Sequence, residues 1–102
     1  MKLSVVRGGG IAGIATRTEL SADSLSASDA STLRAKVEEA GLARLADDVP
    51  AHPQPDDLLY EVTLHDDAGA HTVHLTESTL PEAVRSLIAW ADSMPTAEHG
   101  RA

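Results

Sequence analysis

The apolar periodicity of this chain predicts an α+β domain of order ββαββα, a four-stranded antiparallel sheet with both helices packed on one face. Three observations carry the prediction. Segments of period-two character come in two pairs, each followed by a helix-period segment, and each pair is joined by turn-forming residues: Gly8-Gly9-Gly10 with Gly13 in the first, Asp66-Asp67-Ala68-Gly69 in the second. The third is size: 102 residues, 42% of them apolar, make one domain with a single core. That domain is expected over residues 1–95, with 96–102 a flexible polar tail.

Lys2 to Arg7 and Ile14 to Leu20 read as the first two strands, where Val5, Val6, Thr16 and Thr18 supply β-branched side chains. Between them, Gly8-Gly9-Gly10-Ile11-Ala12-Gly13-Ile14 holds more glycine than a hairpin needs and sets two branched apolar residues among it. It reads either as a contact element or as a wide loop whose isoleucines fold back onto the core. Ser21 to Ser28 is a polar connection. Ser28 or Asp29 is expected to cap a helix running to about Ala40, with Leu33, Val37 and Ala40 on one face and Gly41 ending it.

From Asp47 to Asp56 three prolines and no periodicity predict a loop. Leu58 to Asp66 then alternates Leu58, Tyr60, Val62 and Leu64 against Leu59, Glu61, Thr63 and His65, the pattern of a half-buried strand. Its partner, Ala70 to Thr76, sets His71, Val73 and Leu75 against Thr72, His74 and Thr76. Leu80, Val84, Leu87, Ile88 and Ala91 form the stripe of a second helix, with Ser78 or Thr79 as cap, Pro81 in the first turn and an end near Ser93 ahead of Pro95. Trp90 lies on the flank of that stripe. If the first helix runs back along the sheet, the proline-rich loop meets the glycine-rich loop at one end.

Net charge of -8, with Tyr60 and Trp90 the only aromatic residues, argues against nucleic acid, which asks for clustered cations and stacking surfaces. No run is long enough to span a membrane, and Met1 to Arg7 falls short of the about 7 to 15 apolar residues of an export signal, so a cytoplasmic protein is expected. With no cysteine there is no disulfide, thiolate nucleophile or thiolate zinc site. The histidines do not make a metal site: His71 and His74 point to opposite faces of a strand, His65 lies on the solvent face, and His52 and His99 sit in loop or tail. The acid pairs Asp47-Asp48, Asp56-Asp57 and Asp66-Asp67 lack a calcium-loop pattern and sit where Asp makes turns. No serine lies in a nucleophile elbow, and the glycine run leads into a strand without the Lys-Ser or Lys-Thr of a phosphate loop. Neither catalytic machinery nor a cofactor is expected. What remains is a small acidic scaffold presenting a loop with Ile11 and Ile14, an arrangement suited to binding another protein.

The turn Gly9-Gly10-Ile11-Ala12-Gly13 resembles that of the emfourins, short bacterial proteins with a Gly-Gly-x-Ala-Gly turn near the N-terminus. The similarity continues through Leu33-Arg34, through Pro55-Asp56 leading into the strand of Tyr60, through His71-Thr72-Val73, and through Leu80-Pro81 with Arg85, Leu87 and Trp90, covering about residues 2–93. The resemblance implies a proteinaceous inhibitor of protealysin-like enzymes, zinc metallopeptidases of the thermolysin type, encoded beside its target. It points to Gly9, Gly10, Ile11, Ala12, Gly13 and Ile14 of the first loop, with Pro55 and Asp56 of the second, as the protease-binding residues of a protein that is monomeric when free. This chain departs in having no phenylalanine, with Ile11 and Leu58-Leu59 where relatives often carry an aromatic residue. A non-catalytic regulatory module on the same fold, engaging another protein, is the alternative.

Overall fold

Alternating burial sets the sheet. In the computed structural model, which describes residues 1–9, 14–52, 54 and 56–101, Leu3 and Val5 of strand β1 (Lys2–Gly9) turn inward while Ser4 and Val6 face out. β1 pairs antiparallel with β2 (Thr16–Ser21) on one side and β3 (Leu58–Asp66) on the other, and β3 pairs antiparallel with β4 (Gly69–Thr76). Tyr60, Val62 and Leu64 of β3 and Val73 and Leu75 of β4 complete the inner face, as the alternation predicted.

The expected four strands are five. Glu98–Arg101 forms β5, antiparallel to β2, giving the order β4-β3-β1-β2-β5 and placing a strand within the expected polar tail. The physical reason is that β5 is held by backbone pairing and by one side-chain contact, His99 Nδ1 to Thr18 Oγ1 at 3.2 Å, and needs no buried apolar residue of its own. All four of its residues are exposed, so nothing in its composition signals a strand.

Helices α1 (Ala27–Ala40) and α2 (Glu82–Ser93) both pack on the inner face. Ala30, Leu33 and Val37 of α1 and Val84, Leu87, Ile88 and Ala91 of α2 interlock with the inner strand residues in one aliphatic core. Trp90 is half-buried at its margin, with the Lys36 ammonium 5.9 Å from its ring centroid. The cap of α1 is Ser26, whose hydroxyl accepts from the Asp29 N–H at 3.1 Å, two residues ahead of the expected position. Gly41 ends the helix at φ 64°, donating to Glu38 and Val37, as a glycine stop should. Pro81 is itself the residue before the first turn of α2, because the Ser78 and Thr79 hydroxyls are engaged elsewhere.

The register fixes which loops meet. Gly9 pairs with Leu58, Arg7 with Thr16 and Leu59 with Thr76, so the end of β1, the starts of β2 and β3 and the end of β4 share one edge of the domain, the loop end. The first helix does not run back to that end, contrary to expectation. Its C-terminal residues Val37 and Gly41 line a groove with Met1, Leu64 and Asp66, at the opposite end. The chain climbs instead through the extended segment after Arg44: the Leu45 carbonyl meets His71 Nε2 at 2.9 Å, the Asp48 N–H donates to the His74 carbonyl at 2.9 Å, and Asp48 bridges Leu75 in parallel. β2 ends beside Met1, where the Ala22 N–H donates to the Met1 carbonyl, and α1 ends beside Met1 as well, so the helix crosses the sheet at that end, and a single parallel bridge between Asp48 and Leu75 brings the following stretch to the loop end.

Candidate functional site

Three chain segments converge at the loop end. The first is the root of the glycine-rich turn. A Cβ built on Gly8 would lie 2.8 Å from the Ala15 Cβ and 2.9 Å from its Cα, so only glycine lets the two strands close there. Gly9 takes φ 87°, a conformation that L side chains rarely adopt. Gly10, Ile11, Ala12 and Gly13 lie outside the described residues; Ile14, which follows them, is 52% exposed.

The second segment is the stretch from Asp47 to Asp57, tied down near both ends. Asp47 Oδ1 accepts from the His74 N–H at 2.7 Å, and the Thr79 hydroxyl donates to the Asp48 carbonyl at 2.6 Å. At the far end, Asp57 accepts from the Ser78 N–H at 3.2 Å and from the Ser78 hydroxyl at 2.7 Å. The third segment is therefore the turn Glu77-Ser78-Thr79, whose polar groups hold the second in place, with the fully buried Thr76 hydroxyl bonded to both Ser78 and Thr79. Asp56 is exposed beside these ties, and Pro55 lies outside the described residues.

Between the segments lies an open apolar groove of about 370 Å³ on the sheet face that the helices leave bare. Val6, Gly8, Gly9 and Ala15 form one wall and Val49 and Leu59 the other, with Glu61 and His74 below. The large apolar side chains that stand exposed among the described residues are Ile14 at 52%, Leu59 at 47% and Val49 at 43%, and all three belong to this end. Exposed apolar groups gathered at one place, under loops, are a mark of protein contact. Of the groove residues, Leu59 was legible from alternation as outward-facing; Val49 carried no signal, because its position depends on the single bridge between Asp48 and Leu75.

Electrostatically this side of the end is acidic. The His74 ring lies between two carboxylates, Nδ1 3.3 Å from Asp47 Oδ2 and Nε2 3.6 Å from Glu61 Oε1. The His74 backbone N–H, and secondarily its ring, hold the Asp47 carboxyl below the usual carboxylate range. His71 faces the other way, toward the Leu45 carbonyl. Among the described residues no three His, Asp or Glu side chains are placed to hold a metal ion, and no helix is long and apolar enough to cross a membrane.

The emfourin family matches residues 5–92, a span that runs from within β1 through most of α2 and leaves out β5. No curated protein and no solved structure matches the chain. The match covers most of the chain, including both sides of the glycine-rich turn and the groove beside it, and the chain belongs to the emfourin family.

Proposed function

We propose that this protein inhibits a thermolysin-like, protealysin-like zinc metalloprotease by covering its active-site cleft with the loop end of the sheet. Family membership carries the reading, since emfourins resemble one another as metalloprotease inhibitors and an inhibitor of this kind needs no catalytic group of its own. The exposed apolar residues at the loop end support it. Thermolysin-like clefts favour bulky aliphatic side chains, and Ile14, Val49 and Leu59 offer such groups beside a glycine-rich loop bearing Ile11.

In this reading Gly9 to Ile14 enter the cleft, and Pro55 and Asp56 make a second contact. A contact surface already fixed by the ties of Asp47 and Asp57 loses little conformational entropy on binding. Steric cover is sufficient, so no group of the inhibitor has to reach the zinc. The free protein acts as a monomer.

The test is an inhibition assay on a purified protealysin-like enzyme with increasing amounts of the chain. Loss of peptidase activity reaching completion near one inhibitor per enzyme supports the reading. Full activity at a large excess of chain, with the chain shown to be folded, overturns it.

A further inference from the structure

Thr76, at the end of β4, is fully buried although it pairs with Leu59 on the face where Leu59, Glu61 and His74 stand exposed. Its hydroxyl has no access to water and depends on two partners, Ser78 Oγ at 3.0 Å and Thr79 Oγ1 at 3.1 Å. Each partner hydroxyl has one proton and directs it outward. Ser78 donates to Asp57 Oδ2 at 2.7 Å, and Thr79 donates to the Asp48 carbonyl at 2.6 Å, closer than the Thr76 carbonyl at 3.3 Å. The bonds among the three hydroxyls therefore use the Thr76 proton. The Thr76 N–H also donates to Thr79 Oγ1, at 2.9 Å, so one residue orients both outgoing hydroxyls.

The turn that carries the two hydroxyls is itself fixed. The Glu77 N–H donates to the Leu58 carbonyl at 2.9 Å, the Thr79 N–H to the Thr76 carbonyl at 3.0 Å, and Arg85 Nη2 of α2 to the Glu77 carbonyl at 2.8 Å. Neither hydroxyl caps α2, which starts after Pro81 with no side-chain cap. Groups suited to capping are turned toward the Asp48–Asp57 segment instead, and both ends of that segment converge on one buried oxygen. Val49 follows directly on one tied end, and Asp56 directly precedes the other.

We propose that Thr76 is a positioning residue for inhibition: through Ser78 and Thr79 its hydroxyl fixes both ends of the segment, so that Val49 and Asp56 meet the partner as one preformed surface. The inference rests on the inhibitory reading for the partner, and on the free chain alone for the joining of the two ends. Thr76 itself is buried and touches no partner. A hub of this kind differs from two separate ties. Losing one tie frees one end, whereas losing the hub frees both, and a surface that must then be ordered on binding gives up affinity.

The test is backbone NMR relaxation on the full free chain, with inhibition measured on the same preparations. Thr76→Val keeps the shape and removes the hydroxyl, Thr76→Ser keeps the hydroxyl, and Thr76→Ala is a second hydroxyl-free form should Thr76→Val not fold. Ser78→Ala and Thr79→Ala remove one arm each. In the parent and in Thr76→Ser the order parameters of Asp48, Val49, Asp56 and Asp57 should lie near the value of about 0.85 for rigid backbone. They should fall toward about 0.6 at both ends in the hydroxyl-free forms, at Asp56 and Asp57 alone in Ser78→Ala, and at Asp48 and Val49 alone in Thr79→Ala, with β1 and β3 unchanged throughout. Inhibition by the hydroxyl-free forms should weaken by at least about fivefold and return in Thr76→Ser. A parent segment as mobile as the variants, a hydroxyl-free form that loosens one end only or loosens β1 and β3 equally, or unchanged inhibition with both ends loose would overturn the assignment. So would a failure of both hydroxyl-free forms to fold, which would make the hydroxyl a requirement of the core and not of the segment. Loosening of both ends in a chain whose parent inhibits no metalloprotease would remove the inhibitory reading and leave Thr76 as the hub of the segment.

Discussion

Leu59→Asp separates a contact role from a structural one. Leu59 is 47% exposed in the free domain, so about half of its side chain is already covered, and its removal should cost folding only about 1 kcal/mol out of the roughly 1.5–3 that full burial of a leucine gives. In a complex the exposed half is covered too, and the new carboxylate must leave water without a designed partner. Those losses together come to at least about 2 kcal/mol, or about thirtyfold in the inhibition constant. The measurements are a urea midpoint and an inhibition constant on the same preparations. His65→Asp serves as the control, since His65 is exposed on the same face of the same strand but at the other end of the sheet. The reasoning is refuted if Leu59→Asp inhibits like the parent while remaining folded, or if His65→Asp loses as much inhibition.

Ile11→Asp should weaken inhibition by at least about tenfold, roughly 1.4 kcal/mol, and leave the denaturation midpoint nearly unchanged; an unfolded variant would instead assign Ile11 to the core. Leu87 is fully buried between α2 and the sheet, so Leu87→Ala should cost about 2 to 5 kcal/mol in denaturant unfolding, and a negligible change would contradict its place in the core. Asp47 has its folded pKa depressed by the His74 N–H, so the tie it makes is complete above the ordinary carboxylate pKa and is lost as pH falls through the lower folded value. A pH titration followed by the His74 amide resonance should therefore have its midpoint below about 3.9, and a midpoint at or above that value would deny the bond.

Much of the sheet was legible because its strands carry their own burial pattern: Tyr60, Val62 and Leu64 alternate with Glu61, Thr63 and His65, and the register follows. α2 was legible through the spacing of Val84, Leu87, Ile88 and Ala91. The cap of α1 was written in Ser26 and Asp29, three residues apart, yet Ser28 and Asp29 offered competing oxygens within one turn. Ser78 and Thr79 misled for a related reason, since hydroxyls suited to capping are equally suited to holding Asp57 and Asp48 across the turn. What no local pattern could supply were contacts between segments distant in sequence. β5 depends on β2, and the place of Val49 in the groove depends on the single bridge between Asp48 and Leu75 of β4. The candidate site was readable where it consists of glycine and outward-facing leucine, and hidden where it is assembled by the fold.

Neither edge of the sheet offers a long bare strand: β4 is covered in part, and the other edge is the short β5. The outer side of β4 is taken at His74 and Leu75 by Asp47 and Asp48, and the outer side of β2 is taken by β5, itself a four-residue strand bearing Glu98, His99 and Arg101. Unpaired strand flanks are templates for any extended chain, including that of another molecule of the same protein, and short charged strands deny that template. A molecule built this way offers strand addition little room, which puts the weight of contact on side chains and loop tips. Descendants of such a scaffold can therefore change targets through substitutions at one end, while the hydrogen-bonded frame that keeps them folded stays as it is.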